Sequence, residues 1–249
     1  MPLLTETAHV PTPTGPMETY VARPDGEGPY PAVILFHNIR GITDDLRWCA
    51  RRIAQGGYLC AAPSLYHRVG ERIVLFTDTD YPDAIAIKKL AYEDAFKPFR
   101  ASEDVHALVE YLRADLSVSY GPMGVVGHCM GGYFAPQVAG LFPDDFAAMI
   151  SVNPVRLMEE REDSPRNYLD RLRGEAYFGF AELDPNTPPD FVKAWTELVA
   201  RTCTAKHTVT THAGQQHGFA VPGRKGVWSK SGAEEIFRIC LDIFDRQLH

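Results

Sequence analysis

Short, uninterrupted apolar stretches alternate with amphipathic ones along most of the chain. Ala32-Val33-Ile34-Leu35-Phe36, Tyr58-Leu59-Cys60-Ala61-Ala62, Val125-Val126, Ala147 to Val152 and Ala176-Tyr177-Phe178-Gly179-Phe180 are each apolar on both sides of a period-two pattern. Strands of that kind are covered on both faces, as in a parallel sheet. His207 to Thr211 alternates instead, as a half-covered strand does. Between these lie stretches with helical spacing. One starts at Thr43 or Asp44 and runs to about Gln55, before Gly56-Gly57. Others cover Ala84 to Tyr92 and Ser102 to Ala114, the latter with Val105, Leu108, Val109 and Leu112 on one face. A further one covers Phe134 to Leu141. Pro188-Pro189 opens a helix to about Arg201, and Ala233 to Phe244 places Ile236, Ile239, Cys240 and Ile243 at helical spacing. Ala8–Val10 and Thr19–Val21 read as a short N-terminal hairpin at a sheet edge. Asn153 to Arg173 is rich in charge and reads as a solvated insertion.

Strands alternating with helices predict an α/β fold: a mostly parallel central sheet with helices on both faces. With no repeat, low-complexity tract or linker, residues 1–249 read as a single domain. In such sheets binding sites form beyond the carboxyl ends of the strands. His37-Asn38, Cys129, Asp184 and His217 all follow predicted strands, so they are expected to gather at one edge.

The stretch Gly127-His128-Cys129-Met130-Gly131-Gly132-Tyr133 gives that edge its chemistry. It has the G-x-Nuc-x-G pattern of a nucleophile elbow between a strand and a helix. Glycines two before and two after the nucleophile remove side chains where strand and helix crowd. The helix N-terminus behind Cys129 favours a thiolate and a neighbouring oxyanion. Acyl transfer also needs a base and a group that orients it, which on this fold follow in the order nucleophile, acid, histidine. Cys129, Asp184 and His217 stand in that order. Glu182 competes for the acid position, and Asp184 is preferred because it lies further into the loop. The oxyanion donors are expected to be the backbone N–H groups of Met130 and Ile39. His37 either lines the pocket or is structural, and His128 is turned away by the elbow. Asn38, Tyr66 and Tyr133 are expected at the substrate, with Phe76 and Tyr81 from the loop 64–83 above it.

Composition narrows the picture further. A net charge of −7 gives no reason to expect nucleic acid or an anionic membrane as partner. No apolar run approaches the ~18 residues of a membrane span, and the first residues lack a basic, apolar leader. Five cysteines without a C-x-x-C fit reduced thiols in a cytoplasm. His207, His212 and His217 recur every five residues, a spacing that puts no two on one face of a strand or helix, so no zinc site is expected. Asp78-Thr79-Asp80 lacks the rest of a calcium loop.

Taken together, these stretches resemble the dienelactone hydrolase family, an α/β-hydrolase branch with a cysteine nucleophile. The resemblance rests on His37-Asn38-Ile39-Arg40-Gly41, Pro63 to Arg68, Gly127 to Gly132, Phe180-Ala181-Glu182-Leu183-Asp184 and His217-Gly218-Phe219, in the family's order. It implies the triad Cys129–His217–Asp184, the Ile39 and Met130 N–H groups as oxyanion hole, and hydrolysis of small esters or lactones. It implies no cofactor, a cytoplasmic location and a monomer or homodimer. Two departures stand out. Family members carry a glutamate where this chain has Asn38, so the resting thiol is expected as a thiolate paired with the His217 imidazolium. Of the arginines that hold a substrate carboxylate, one falls where this chain has Val221, with Arg224 nearby, while Lys88 or Lys89 lies near the other. Dienelactone itself is therefore not the expected substrate. A glutamine amidotransferase would place Gln at Tyr133 and an acid at Phe219. A thioesterase and a non-catalytic scaffold are the remaining rivals.

Overall fold

In the computed structural model, residues 1–70 and 82–249 are described; Phe76, Asp78, Thr79, Asp80 and Tyr81 lie outside them, as does the Lys88 side chain. Eight strands form one sheet in the order β1-β2-β4-β3-β5-β6-β7-β8. They are β1 (Leu3–Thr12), β2 (Gly15–Pro24), β3 (Ala32–Phe36), β4 (Leu59–Pro63), β5 (Met123–His128), β6 (Phe146–Val152), β7 (Glu175–Ala181) and β8 (Lys206–His212). From β4 to β8 every pairing is parallel, while β1 and β2 pair antiparallel with each other and β2 with β4. The N-terminal hairpin is longer than its apolar residues suggest, ten residues a side. In β1, ladder hydrogen bonds carry the strand through positions whose side chains face solvent, where hydrophobicity gives no signal.

The strands divide their side chains between two cores, as the period of two requires. Ile34, Phe36, Val125, Met149, Phe178 and Phe180 point to one core. It is closed by α3 (Arg100–Arg113), α4 (Met130–Leu141) and α5 (Pro189–Thr202), with Ala91 and Ala95 of α2 (Pro82–Ala95) at its side. Val33, Leu35, Val126, Ile150 and Tyr177 point to the other, closed by α1 (Asp44–Gln55) and α6 (Lys230–Gln247). Thr43 caps α1, its hydroxyl accepting the Leu46 N–H at 3.3 Å.

Residues 153–173 are not a solvated insertion. Leu157, Tyr168, Leu169 and Leu172 are buried, and Pro165–Arg171 forms a short 3-10 helix. It packs on α4, where Gly140 admits the Tyr168 backbone: a Cβ there would stand 2.6 Å from the Tyr168 carbonyl oxygen. The charges that suggested solvation neutralise one another at the seam. Buried Asp163 pairs with Arg161 at 2.8 Å, and its carbonyl accepts from Gln137 of α4 at 2.5 Å.

At the end of the sheet remote from the strand C-termini, Glu175 opens β7. Its carboxylate accepts from Arg246 at 2.8 and 3.1 Å and from Lys206 at 3.1 Å. Burial opposes its ionisation, but the two cations outweigh that and hold it below the usual carboxylate range. A depressed native pKa stabilises above the unfolded value of ~4.3 and ceases to do so as pH falls through the native one. Arg246 and Lys206 are half exposed and screened, so the clasp is worth on the order of 1 kcal/mol. Glu175→Gln should lower the urea midpoint at pH 7, and the gap to wild type should close as pH is taken below about 4.

Candidate active site

The chain runs β3, α1, β4 in one direction along the sheet and then places β5 on the other side of β3. This reversal opens a crevice between the loops that follow β3 and β5. Phe36 pairs with Gly127 across it, so the segments starting at His37 and His128 leave the sheet side by side. Asn38-Ile39 and Cys129-Met130 are neighbours because of that register.

The turn after β5 is tight enough to exclude side chains. A Cβ on Gly127 would lie 1.9 Å from the Gly131 carbonyl oxygen, and one on Gly131 would lie 2.6 Å from that of Phe36. Cys129, between them, adopts φ 55° and ψ −114°, a conformation that L-residues reach only under constraint. Its N–H donates to the Val152 carbonyl at 3.0 Å, tying the turn to β6. Helix α4 begins at the next residue, so the Met130 N–H belongs to a helix N-terminus without an intrahelical acceptor. Pro136 lies inside α4 and offers no N–H to the Gly132 carbonyl four residues earlier. The Ser151 hydroxyl of β6 donates to that carbonyl instead, at 2.7 Å.

The loops after β7 and β8 bring Asp184 and His217 together. Asp184 is buried, and its Oδ2 accepts from His217 Nδ1 at 2.6 Å. Its Oδ1 accepts from both the backbone and the side-chain N–H of Asn186, each at 2.9 Å. Burial opposes the carboxylate, but His217 and Asn186 together hold its pKa below the usual range. For His217 burial likewise opposes the charged ring. Hydrogen bonds to Asp184 and to Cys129 outweigh it and raise the pKa to about 9. Glu182 turns elsewhere: its carboxylate accepts the Gly214 N–H at 2.7 Å and shapes the loop that carries His217. The chain Cys129–His217–Asp184 thus has its second link made by a hydrogen bond and its first by the electrostatic influence of Cys129 on His217. Asn186 had no sequence signal beyond an Asx turn of the kind D-x-N makes.

A cavity of about 500 Å³ opens onto this chain. Asn38, Ile39, Cys129, His217 and Val221 line it, with Arg40, Arg224 and Lys225 as its cations. Arg40 also pairs with Asp45 at 3.3 Å, and Arg224 donates to the His217 carbonyl at 2.5 Å. Asn38 is committed on one side, its Oδ1 accepting the Arg40 N–H at 2.8 Å. Tyr66 and Tyr133 are fully buried and do not line the cavity. The Tyr66 hydroxyl donates to the Ile39 carbonyl at 2.9 Å, and that of Tyr133 to the Asp163 carbonyl at 3.4 Å. Their amphipathic rings carry no signal that separates a pocket wall from a core position with a polar tip. His37 is buried behind the loop, and burial lowers its pKa to about 4, as it does for His128. Among the described residues no group of three or more His, Cys, Asp or Glu is arranged to hold a metal ion.

Comparison with known proteins gives the family and the fold. The profile of the dienelactone hydrolase family matches residues 17–248. The chain belongs to the dienelactone hydrolase family. A provisionally named carboxymethylenebutenolidase of Synechocystis sp. is 26% identical over 220 residues, 86% of each chain. Among solved structures, a provisionally assigned dienelactone hydrolase from Klebsiella pneumoniae superposes with a TM-score of 0.83 at 21% identity, over 99% of this chain and 100% of that one. A dienelactone hydrolase-like promiscuous phosphotriesterase from metagenomic libraries gives 0.80 at 17% identity, over 99% of each. These likenesses make the fold that of the α/β-hydrolases and the protein a hydrolase of this family. No helix among the described residues is long and apolar enough to cross a membrane.

The pKa of His217 provides a direct check of the site. With the ring charged below about 9, its NMR titration should fall well above that of an ordinary histidine. Asp184→Asn should move the midpoint down, because it removes the largest of the influences that raise it. A midpoint unmoved by that change would contradict the pairing.

Proposed function

We propose that this protein hydrolyses small carboxylic esters or lactones through an acyl-enzyme on Cys129. The His217–Asp184 hydrogen bond, at a cavity that Cys129 and His217 both line, is the observation that carries this reading. The Cys129 sulfur attacks the carbonyl carbon, with His217 holding the imidazolium that pairs with it. The oxygen, now negative, lies between the Ile39 and Met130 N–H groups, each such donor being worth about 3 kcal/mol of barrier. Collapse of the intermediate expels the alcohol, which takes its proton from His217. Neutral His217 then draws a proton from water, which attacks the thioester and releases the acid. Asp184, fixed by Asn186, keeps the proton on His217 Nδ1 and leaves Nε2 for the thiol and the water.

Asn38 in place of a glutamate puts an amide rather than a carboxylate at that position, which supports a resting thiolate–imidazolium pair. The cations Arg40, Arg224 and Lys225 favour substrates that carry a carboxylate, even though Val221 stands at one family arginine position. A cytoplasmic enzyme, monomeric or dimeric and independent of cofactors, completes the proposal.

Cys129→Ala should abolish hydrolysis of p-nitrophenyl acetate, and wild-type enzyme quenched early should carry the acetyl group on Cys129 by peptide mass mapping. Asp184→Asn should lower kcat by up to about four orders of magnitude, as loss of the orienting acid does in such triads. Iodoacetamide should label Cys129 first, since Cys49, Cys60, Cys203 and Cys240 are buried and burial raises all four of those thiols. Lys225→Ala, at an exposed position on the cavity wall, should raise KM for an ester bearing a carboxylate and leave that for a neutral ester unchanged.

A further inference from the structure

The loop after β3 has to present one N–H group, that of Ile39, to the cavity. This N–H belongs to the same planar, trans peptide as the Asn38 carbonyl, so the two point in opposite directions. Whatever holds the carbonyl therefore aims the N–H. The Asn38 carbonyl accepts from His37 Nδ1 at 2.6 Å and from the Gly41 N–H at 3.2 Å. His37 is able to donate there because its other nitrogen is occupied: Nε2 accepts the Leu65 N–H at 3.0 Å, which leaves the proton on Nδ1. The ring is completely buried and neutral over the working pH range. The next peptide is held from the same side, since the Tyr66 hydroxyl donates to the Ile39 carbonyl at 2.9 Å. Tyr66 also packs on the imidazole, with ring centroids 4.7 Å apart, and its hydroxyl lies 3.5 Å from Met130 Sδ. Two consecutive residues after β4, Leu65 and Tyr66, thus fix both peptides that flank Ile39, one of them through the imidazole.

We propose that His37 is a positioning residue for the hydrolysis: by holding the Asn38 carbonyl behind the loop, it keeps the Ile39 N–H directed at the oxyanion. Tyr66 holds the second peptide in the same sense. This rests on the Cys129 acyl-enzyme reading and adds to it where the preorganisation of one oxyanion donor comes from. The rival physical account is that the turn holds itself, through the Gly41 N–H and the Asn38 side chain on the Arg40 N–H.

Two reactions of the same sulfur separate these accounts. Attack on an ester builds an oxyanion; displacement of iodide from iodoacetamide occurs at saturated carbon and builds none. His37→Phe should lower kcat for p-nitrophenyl acetate by about 10- to 100-fold, less than the roughly 10²–10³ typical of losing an oxyanion donor outright. KM should change little, and the iodoacetamide rate at Cys129 should stay within about twofold, because alkylation needs no oxyanion donor. His37→Asn, whose amide N–H reaches close to the Nδ1 position, should recover most of the loss. Tyr66→Phe, which removes a single hydroxyl, should show the same selective fall in kcat and serves if His37→Phe does not fold. The proposal is overturned if alkylation falls in step with hydrolysis, if His37→Asn is as slow as a folded His37→Phe, or if neither His37→Phe nor Tyr66→Phe slows hydrolysis. Cys129→Ala separates the two levels. Retained hydrolysis in that variant overturns the acyl-enzyme reading itself, whereas its loss, together with unselective His37 variants, overturns only the role given to His37.

Discussion

Three backbones meet where β3, β5 and the first turn of α4 cross, and there is no room among them for a side chain. Gly127 and Gly131 answer that crowding, and most of the site follows from it. Because α4 must start at once after β5, Cys129 is forced into its left-handed conformation at the apex. The same abrupt start leaves the Met130 N–H without a partner inside the helix. Close approach of Gly131 to Phe36 and His37 also brings the loop after β3 against the turn. The conformation of Cys129, the helix terminus and the neighbouring loop are thus three results of one steric condition. A larger residue at either glycine would have to move backbone, which no rotamer change can replace.

Electrostatics supplies what sterics does not. Asp184 is a buried carboxylate, and burial alone would favour its neutral form. Three hydrogen bonds to it, one from His217 and two from Asn186, reverse that preference. The charge so retained then raises His217 despite its own burial. Glu175 uses the same logic at the opposite end of the sheet, with Arg246 and Lys206 as partners. One carboxylate charges a histidine and the other ties the frame, and the length of β7 keeps them apart.

The order of elements was readable in the sequence because most strands are buried on both faces and so are apolar without interruption. The elbow was readable for the steric reason already given. Residues 153–173 were misread, since composition counts the charges of Arg161 and Asp163 but does not show that they meet in a buried pair behind α4. The choice of Asp184 over Glu182 depended on how far into the loop each lies, a matter of position that the sequence does contain. Tyr66 and Tyr133 were placed at the cavity because aromatic residues near strand ends so often line one. Burial depends on what returns to pack on them, His37 and Met130 at Tyr66 and Phe96 and Asp163 at Tyr133, which no local pattern records. The double donation from Asn186 and the cations on the rim likewise depend on where loops return, and so become visible only in the fold.

The exchange between Pro136 and Ser151 bears on how this scaffold can be rebuilt. Since Pro136 cannot bond the first turn of α4 to the second in the usual way, that turn leans on β6 through Ser151 and through the Val152 carbonyl that receives the Cys129 N–H. Mechanically, the turn at Cys129 belongs to the sheet more than to its own helix. The portable module is accordingly β5, the elbow and β6 together. The part of α4 beyond Pro136 could be exchanged for another helix of matching girth, whereas a replacement for β6 would have to bring its own serine.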